Sequence, residues 1–192
     1  MYNRISLKLS SPPATEPITA QEAKDYLKIS FTDDDALIAL YITAAREKAE
    51  AYTKRAFITQ TWEMTLDRFP YSDSISLSKA PIRSVTSIKT NDYANTQTIF
   101  DSSTYIVGLD DTARISLNVG EIWPVNLRDR QAVLVTYVAG YGNASTVPSS
   151  IKIALLMHVS AMYYSRSLCE MPLEVKCLLD PFKIFFALDG NQ

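Results

Sequence analysis

Chemistry in this chain would have to start from very few residues. His158 is the single histidine, so a general base, a catalytic triad or a histidine-based metal site would have to use it. It falls within an apolar run, where a core or interface imidazole satisfied by a local partner is the expected role. Cys169 and Cys177 stand at C-x7-C spacing rather than the C-x2-C of a zinc site, and read as small buried hydrophobes. Asp33, Asp34 and Asp35 lack the alternate spacing and central glycine of a calcium loop. Asp110 and Asp111 suit a hairpin turn. No glycine-rich nucleotide motif, Walker loop or nucleophile elbow occurs, and Ala139-Gly140-Tyr141-Gly142 is too short to cradle phosphate. The expectation is a protein that is not an enzyme, with no catalytic or metal-binding residues and no cofactor.

Composition narrows the class further. The chain has 192 residues, 47 % hydrophobic and 21 % charged, with a formal charge of −2. That balance is ordinary for a soluble globular protein, and it lacks the basic footprint of nucleic-acid binding. Two cysteines make no disulfide framework and fit a reducing compartment. Nothing after Met1 resembles a signal peptide. The longest apolar stretch, Ile153 to Tyr164, is shorter than the roughly 20 residues of a membrane span.

The elements that would position any site announce themselves locally. Thr19 and Glu22 have the spacing of a capping box, which predicts a helix over about Thr19 to Lys28. Thr32 is expected to cap a second helix to about Arg55, with Asp33, Asp34 and Asp35 in its first turn, where the dipole favours carboxylates. Leu37, Leu40, Tyr41, Ala44, Ala45, Ala49 and Tyr52 are expected to form its apolar stripe, and Arg46, Glu47, Lys48 and Glu50 its wet side. From Ile58 the period changes to two: Trp62, Met64 and Leu66 alternate with Thr61, Glu63 and Thr65. Further short strands are expected at Ser74–Leu77, Val85–Thr90, Tyr105–Val107, Arg114–Asn118 and Ala132–Val138, separated by turn formers. Residues Met1 to Glu16 read as a lead-in containing a short alternating piece at Ile5, Leu7 and Leu9.

After Gly142, Pro148 suits a first helical turn, and a helix is expected from about Ser149 to Arg166. It is apolar nearly all round and so must be buried on most sides. Part of that burial is assigned to another subunit, with Ile151, Leu155, His158 and Met162 as packing candidates. Leu173 to Leu179 predicts a short helix. The end, Phe182 to Leu188, is strongly apolar for a terminus, and Phe182, Ile184, Phe185, Phe186 and Leu188 are candidate contact residues.

The predicted fold is therefore α+β. It is a small helical bundle with an antiparallel β insertion between the second and third long helices. Residues 1–192 are read as one domain: a helical pair over 17–57, the β insertion over 58–140, a third long helix over 147–167, and a short helix with an apolar tail over 168–192.

Four stretches carry a resemblance: PITAQEAKDYLKI, then DDDALIALYITAAREKAEAYTKRAFITQTWEMTLDRFP, then VTYVAGYGNASTVPSSIKIALLMHVSAMYYSRS, and the short LEVKCLLDPFK. In their order, in the ITQTW step out of the long helix, and in YVAGYG leading to VP, they resemble the head–tail connector proteins (adaptor or head-completion proteins) of long-tailed bacteriophages and prophages. The poorly matched part is Ser74 to Gln131. The resemblance implies a structural virion assembly protein of the neck, forming a ring, commonly dodecameric, beneath the portal. Its implied partners are further copies of itself, the portal protein and a tail-side neck or tail-completion protein. DNA would pass through the lumen unbound, no membrane would be involved, and assembly would take place in the bacterial host cytoplasm. The family's C-terminal segment engages the portal or a neighbouring subunit, which suits Phe182 to Leu188. An alternative reading from the residues is a non-catalytic carbohydrate- or protein-binding β module on a helical base, with Trp62 and Trp123 as stacking groups. Core positions are the simpler role for both.

Overall fold

The capping box forms as read. In the computed structural model, which describes residues 4–109, 113–165 and 170–184, the Thr19 Oγ1 accepts from the Glu22 N–H at 3.1 Å. The Glu22 carboxylate accepts from the Thr19 N–H at 2.6 Å. That backbone hydrogen bond holds the Glu22 carboxyl below its ordinary pKa. Helix α1 runs Ala20–Leu27 and stops at Lys28, which takes the left-handed conformation (φ 60°).

Helix α2 runs Asp35–Thr53, so it starts later than Thr32. Asp34 is its N-cap residue but makes no side-chain cap. Asp34 instead accepts from the Tyr163 hydroxyl, and Asp35 pairs with the Lys24 ammonium at 2.6 Å. Tertiary partners, not the helix dipole alone, account for these two carboxylates. The buried face of α2 also differs from the expected stripe. Ile38, Ile42, Ala45 and Ala49 are buried, whereas Leu40 is 68 % exposed and Leu37 36 %. Arg46 and Glu50, expected on the wet side, are 5 % and 4 % exposed. The Arg46 guanidinium reaches Glu16 at 2.7 Å and Glu50 at 3.1 Å. Glu50 in turn accepts from the Phe57 N–H at 2.7 Å.

Helix α3 spans Ser149–Ser165 and helix α4 spans Leu173–Leu179. Together with α1 and α2 they enclose a core built on Leu27, Ile38, Ile42, Ile151, Leu155 and Leu179. Ala45 and Ala49 are fully buried; their small size suits the close approach of helices. This compact unit comprises Pro13–Thr59 and Tyr141–Ile184. Within it Thr59 donates through both its N–H and its hydroxyl to the Gly142 carbonyl, at 2.9 and 3.1 Å. Gly142 has φ 131°, a conformation glycine adopts without the strain of a Cβ.

The second compact unit contains residues 4–12 and 60–140. Its larger sheet has the order β1-β2-β8-β4-β5, formed by Ile5–Ser11, Gln60–Leu66, Val133–Ala139, Ile82–Asn91 and Gln97–Ile99, every pair antiparallel. A smaller sheet has the order β3-β7-β6, from Ser74–Ser76, Arg114–Leu117 and Tyr105–Gly108. Register follows the apolar alternation: Met64 lies opposite Val135 and Leu66 opposite Val133, all buried. A slip of one residue would turn that whole set to the other face. Central β8 buries Val133, Val135, Tyr137 and Ala139 completely. The lead-in piece is edge strand β1, which sets Leu7 opposite Met64. Strand β5 had no sequence signal, since Gln97-Thr98-Ile99 is exposed throughout and has no inward side chain to create alternation. The chain is thus α+β, with four α-helices and antiparallel sheets among its described residues.

Candidate contact surfaces

The sequence-derived candidates on α3 all point into the chain's own core. Ile151, Leu155 and His158 are at most 1 % exposed and Met162 is 8 %. They are taken up by α1, α2 and α4 of the same chain, so they offer no surface to a neighbour. The outward side of α3 carries instead Ile153, 45 % exposed, and Tyr164, 68 % exposed, while half-buried Leu156 and Met157 still pack against the core. Tyr164 is tied down by its hydroxyl, which donates to the Leu27 carbonyl at 3.1 Å. On α2 the outward apolar side chains are Leu37 and Leu40.

His158 is buried as expected, but the expected local partner is missing. Neither ring nitrogen has a hydrogen-bond partner among the described residues. Burial, helped by the nearby Lys48 charge, lowers its pKa to about 4. No cluster of three or more metal-ligating side chains occurs among the described residues. Cys177 is exposed rather than buried, because its helix turns Val175 and Leu179 inward. Cys169, Asp110 and Asp111 lie outside the described residues.

The start of the tail is docked. The Ile184 N–H donates to the Thr53 carbonyl at 3.0 Å, and the Arg55 Nε donates to the Phe182 carbonyl at 2.5 Å. Phe182 packs half-buried against the helical core. The Lys183 ammonium stands 4.4 Å from the Tyr52 ring centroid, a cation–π arrangement. The Tyr52 hydroxyl donates to Asp180, which raises the pKa of the phenol. Phe182 and Ile184 therefore belong to the C-terminal end of α2 as much as to any partner. Phe185, Phe186 and Leu188 lie outside the described residues.

In the β unit Trp123 is spoken for, whereas the buried Trp62 Nε1 has no hydrogen-bond partner among the described residues. Trp123 stacks on Phe69 with centroids 4.5 Å apart and planes 8° apart, and its Nε1 donates to the Ser72 carbonyl at 2.9 Å. Phe100 and Tyr105 extend the cluster. One face of Trp123 is thus unavailable to a sugar. Trp62 lies in β2 with the Lys79 ammonium 5.2 Å from its ring centroid. Trp123→Ala is expected to lower β-unit stability by about 2 kcal/mol, below the 3–5 of a fully buried aromatic. An earlier thermal transition would register that loss, whereas an unchanged melt would return Trp123 to the surface-ligand reading.

Among the described residues, α2 and α3 leave Leu37, Leu40 and Ile153 exposed. A family model described as "Head completion protein" matches residues 16–169. The chain belongs to the head completion protein family. That family places it among structural proteins of phage-like head–tail assembly. Three solved chains share the fold over nearly all of both molecules. One, from the neck of an empty gene transfer agent (GTA) particle computed with C6 symmetry, superimposes with a TM-score of 0.84 at 22 % identity. It covers 97 % of this chain and 100 % of that one. A second, from the virion of a native GTA particle, gives 0.82 at 21 % identity and covers 96 % and 98 %. A third, from the neck of a native GTA particle computed with C12 symmetry, gives 0.79 at 23 % identity and covers 96 % and 100 %. No curated protein matches significantly.

Proposed function

We propose that this chain is a ring-forming connector subunit that sits beneath the portal and joins the DNA-filled head to the tail. The family match over residues 16–169 carries this reading. The ring would be dodecameric, contacting the portal on one side and a tail-side neck protein on the other, with assembly in the host cytoplasm. The whole chain acts as one connector, the helical unit providing contacts between copies.

The mechanism is multivalent docking. A closed ring needs a heterologous interface, in which two different patches of one subunit meet those of its neighbours. Each contact is modest, and closure makes them mutually reinforcing through effective concentration. The outward faces of α2 and α3, with the exposed Leu37, Leu40 and Ile153, replace the buried α3 residues as interface candidates. A lumen without net positive charge would let DNA pass without gripping its phosphates.

Native mass measurement at high concentration, alone and with assembled portal, tests the reading. A ring-sized species or stoichiometric portal decoration is expected. Leu40→Asp, at an exposed position, should preserve the melting temperature and abolish the ring. Because Phe182 and Ile184 are docked on α2, the informative tail deletion removes residues 185–192. It should leave the fold intact and weaken ring formation or portal docking. A chain that stays monomeric and ignores the portal under all conditions would overturn the proposal.

A further inference from the structure

Strand β1 forms a free edge of the larger sheet. The Asp67 N–H donates to the Arg4 carbonyl at 3.2 Å. By the alternation of an antiparallel ladder, Arg4, Ser6 and Lys8 turn their main-chain groups toward β2, and Ile5, Leu7 and Leu9 turn theirs outward. The side chains of Ile5, Leu7 and Leu9 stand opposite Leu66, Met64 and Trp62, on the apolar face of the sheet. Ile5 is 53 % and Leu9 38 % exposed. The same three residues thus carry outward amides and unfinished apolar surface.

Such an edge is ordinarily blunted by an inward charge, a proline or cover. Here β1 has a bulge between Leu9 and Ser11, but the stretch from Ile5 to Leu9 is regular and its apolar face carries no charge. Its charges lie on the other face. Arg4 and Lys8 are exposed there. Lys8 stands opposite Glu63, yet neither cation joins an ion pair among the described residues.

This edge fits an extended segment with apolar side chains at alternate positions and a carboxylate on the other face. The chain itself supplies one. Residues 185–192 continue from Ile184, which is latched to the Thr53 carbonyl, and begin Phe185-Phe186-Ala187-Leu188-Asp189. As a strand this places Phe186 and Leu188 on one face and Asp189 on the other. Eight residues reach about 26 Å when extended. A closed ring needs one patch of a subunit to meet a different patch of its neighbour, and tail and edge are such a pair. We propose that residues 185–189 of one copy add as an antiparallel strand to β1 of a neighbouring copy. Phe186 and Leu188 then lie beside Leu9 and Leu7, and Asp189 between Arg4 and Lys8. This pairing rests on the connector reading and makes its tail contact a strand addition.

The test is fluorescence anisotropy of a labelled peptide of residues 185–192, titrated with the full chain at concentrations where it is monomeric. Saturable binding is expected. N-methylation of the Phe186 or Leu188 amide, each facing β1 in this register, should weaken it at least about tenfold, about 1.4 kcal/mol. N-methylation of Ala187 or Asp189 should cost little, because those amides face away. Asp189→Lys in the peptide should weaken binding about fivefold, and Lys8→Glu in the chain should restore it. Lys8 is exposed, so that variant should keep its fold; if it does not, the N-methyl series still decides. No binding, N-methyl losses without this alternation, or no rescue in a folded variant would each overturn the proposal. A peptide that binds only after residues 185–192 are deleted would make the chain's own tail the occupant and likewise refute it. Rings that form unaffected by excess peptide would sink the strand addition and leave the connector reading standing. If the peptide binds with this alternation but the chain makes no ring and ignores the portal, the strand addition stands and the connector reading fails.

Discussion

Arg46→Met is expected to destabilise the helical unit by about 3–5 kcal/mol, the cost of leaving a buried charge without its partner. Burial alone disfavours the Arg46 charge, yet the Glu16 hydrogen bond and the fields of Glu50, Glu16 and Glu47 outweigh it and raise its pKa. Removing the guanidinium takes away the ion pair that Glu50, whose side chain is 6 % exposed, makes with Arg46 at 3.1 Å. The Phe57 N–H would remain as its hydrogen-bond donor. Glu16 and Thr43, which share a hydrogen bond of 2.9 Å, lose their link to the same guanidinium. Since whole domains are stable by only about 5–15 kcal/mol, the variant should melt far earlier or accumulate unfolded. Adding Glu50→Gln removes the buried carboxylate charge while keeping an oxygen for the Phe57 N–H. The double variant should recover part of the loss, and urea titrations of all four combinations measure the coupling. Losses below about 1 kcal/mol would mean the cluster behaves as an exposed ion pair.

His158→Leu is expected to act in the opposite direction. The imidazole is fully buried with both nitrogens unpartnered among the described residues, and replacing an unsatisfied polar group by an apolar one of similar size should add about 1–2 kcal/mol at pH 7. The pH dependence gives the sharper signature. The folded pKa of about 4 lies below the ordinary 6.5, so above pH 6.5 both states are neutral and the full stability is present. As the pH falls from 6.5 through 4, the unfolded chain binds a proton that the folded chain excludes. Stability therefore declines, by about 3 kcal/mol across that window. Between pH 6.5 and 5 the leucine variant should show a much flatter profile, the titration of carboxylates entering only below. An identical slope in both proteins would show that His158 is not the sensing group.

Much of the architecture was legible because its causes are local. The capping box lies within four residues, the strand period within seven, and Pro148 marks the start of α3. The order of these pieces along the chain pointed to the connector family, and the match over residues 16–169 agrees with it. The contact residues were less legible. A helix apolar on both faces cannot declare which face its own core will claim, and α3 gave the core Ile151, Leu155, His158 and Met162. For α2 the expectation put Leu40 inside and Arg46 outside, and the fold reverses both. Burying Arg46 requires Glu16, thirty residues away in sequence, and no helical period contains that information.

By itself, then, the sequence determined most of the element types and their boundaries to within a few residues, because caps, turns and periods act over one or two helical turns. Tertiary structure alone decided which faces are buried. It drew the polar Gln97-Thr98-Ile99 into an edge strand, latched Phe182 and Ile184 onto the end of α2, and left His158 without a hydrogen-bond partner among the described residues. Each of those outcomes depends on groups distant along the chain, whose pairing must outweigh desolvation and ordering costs that local patterning does not record.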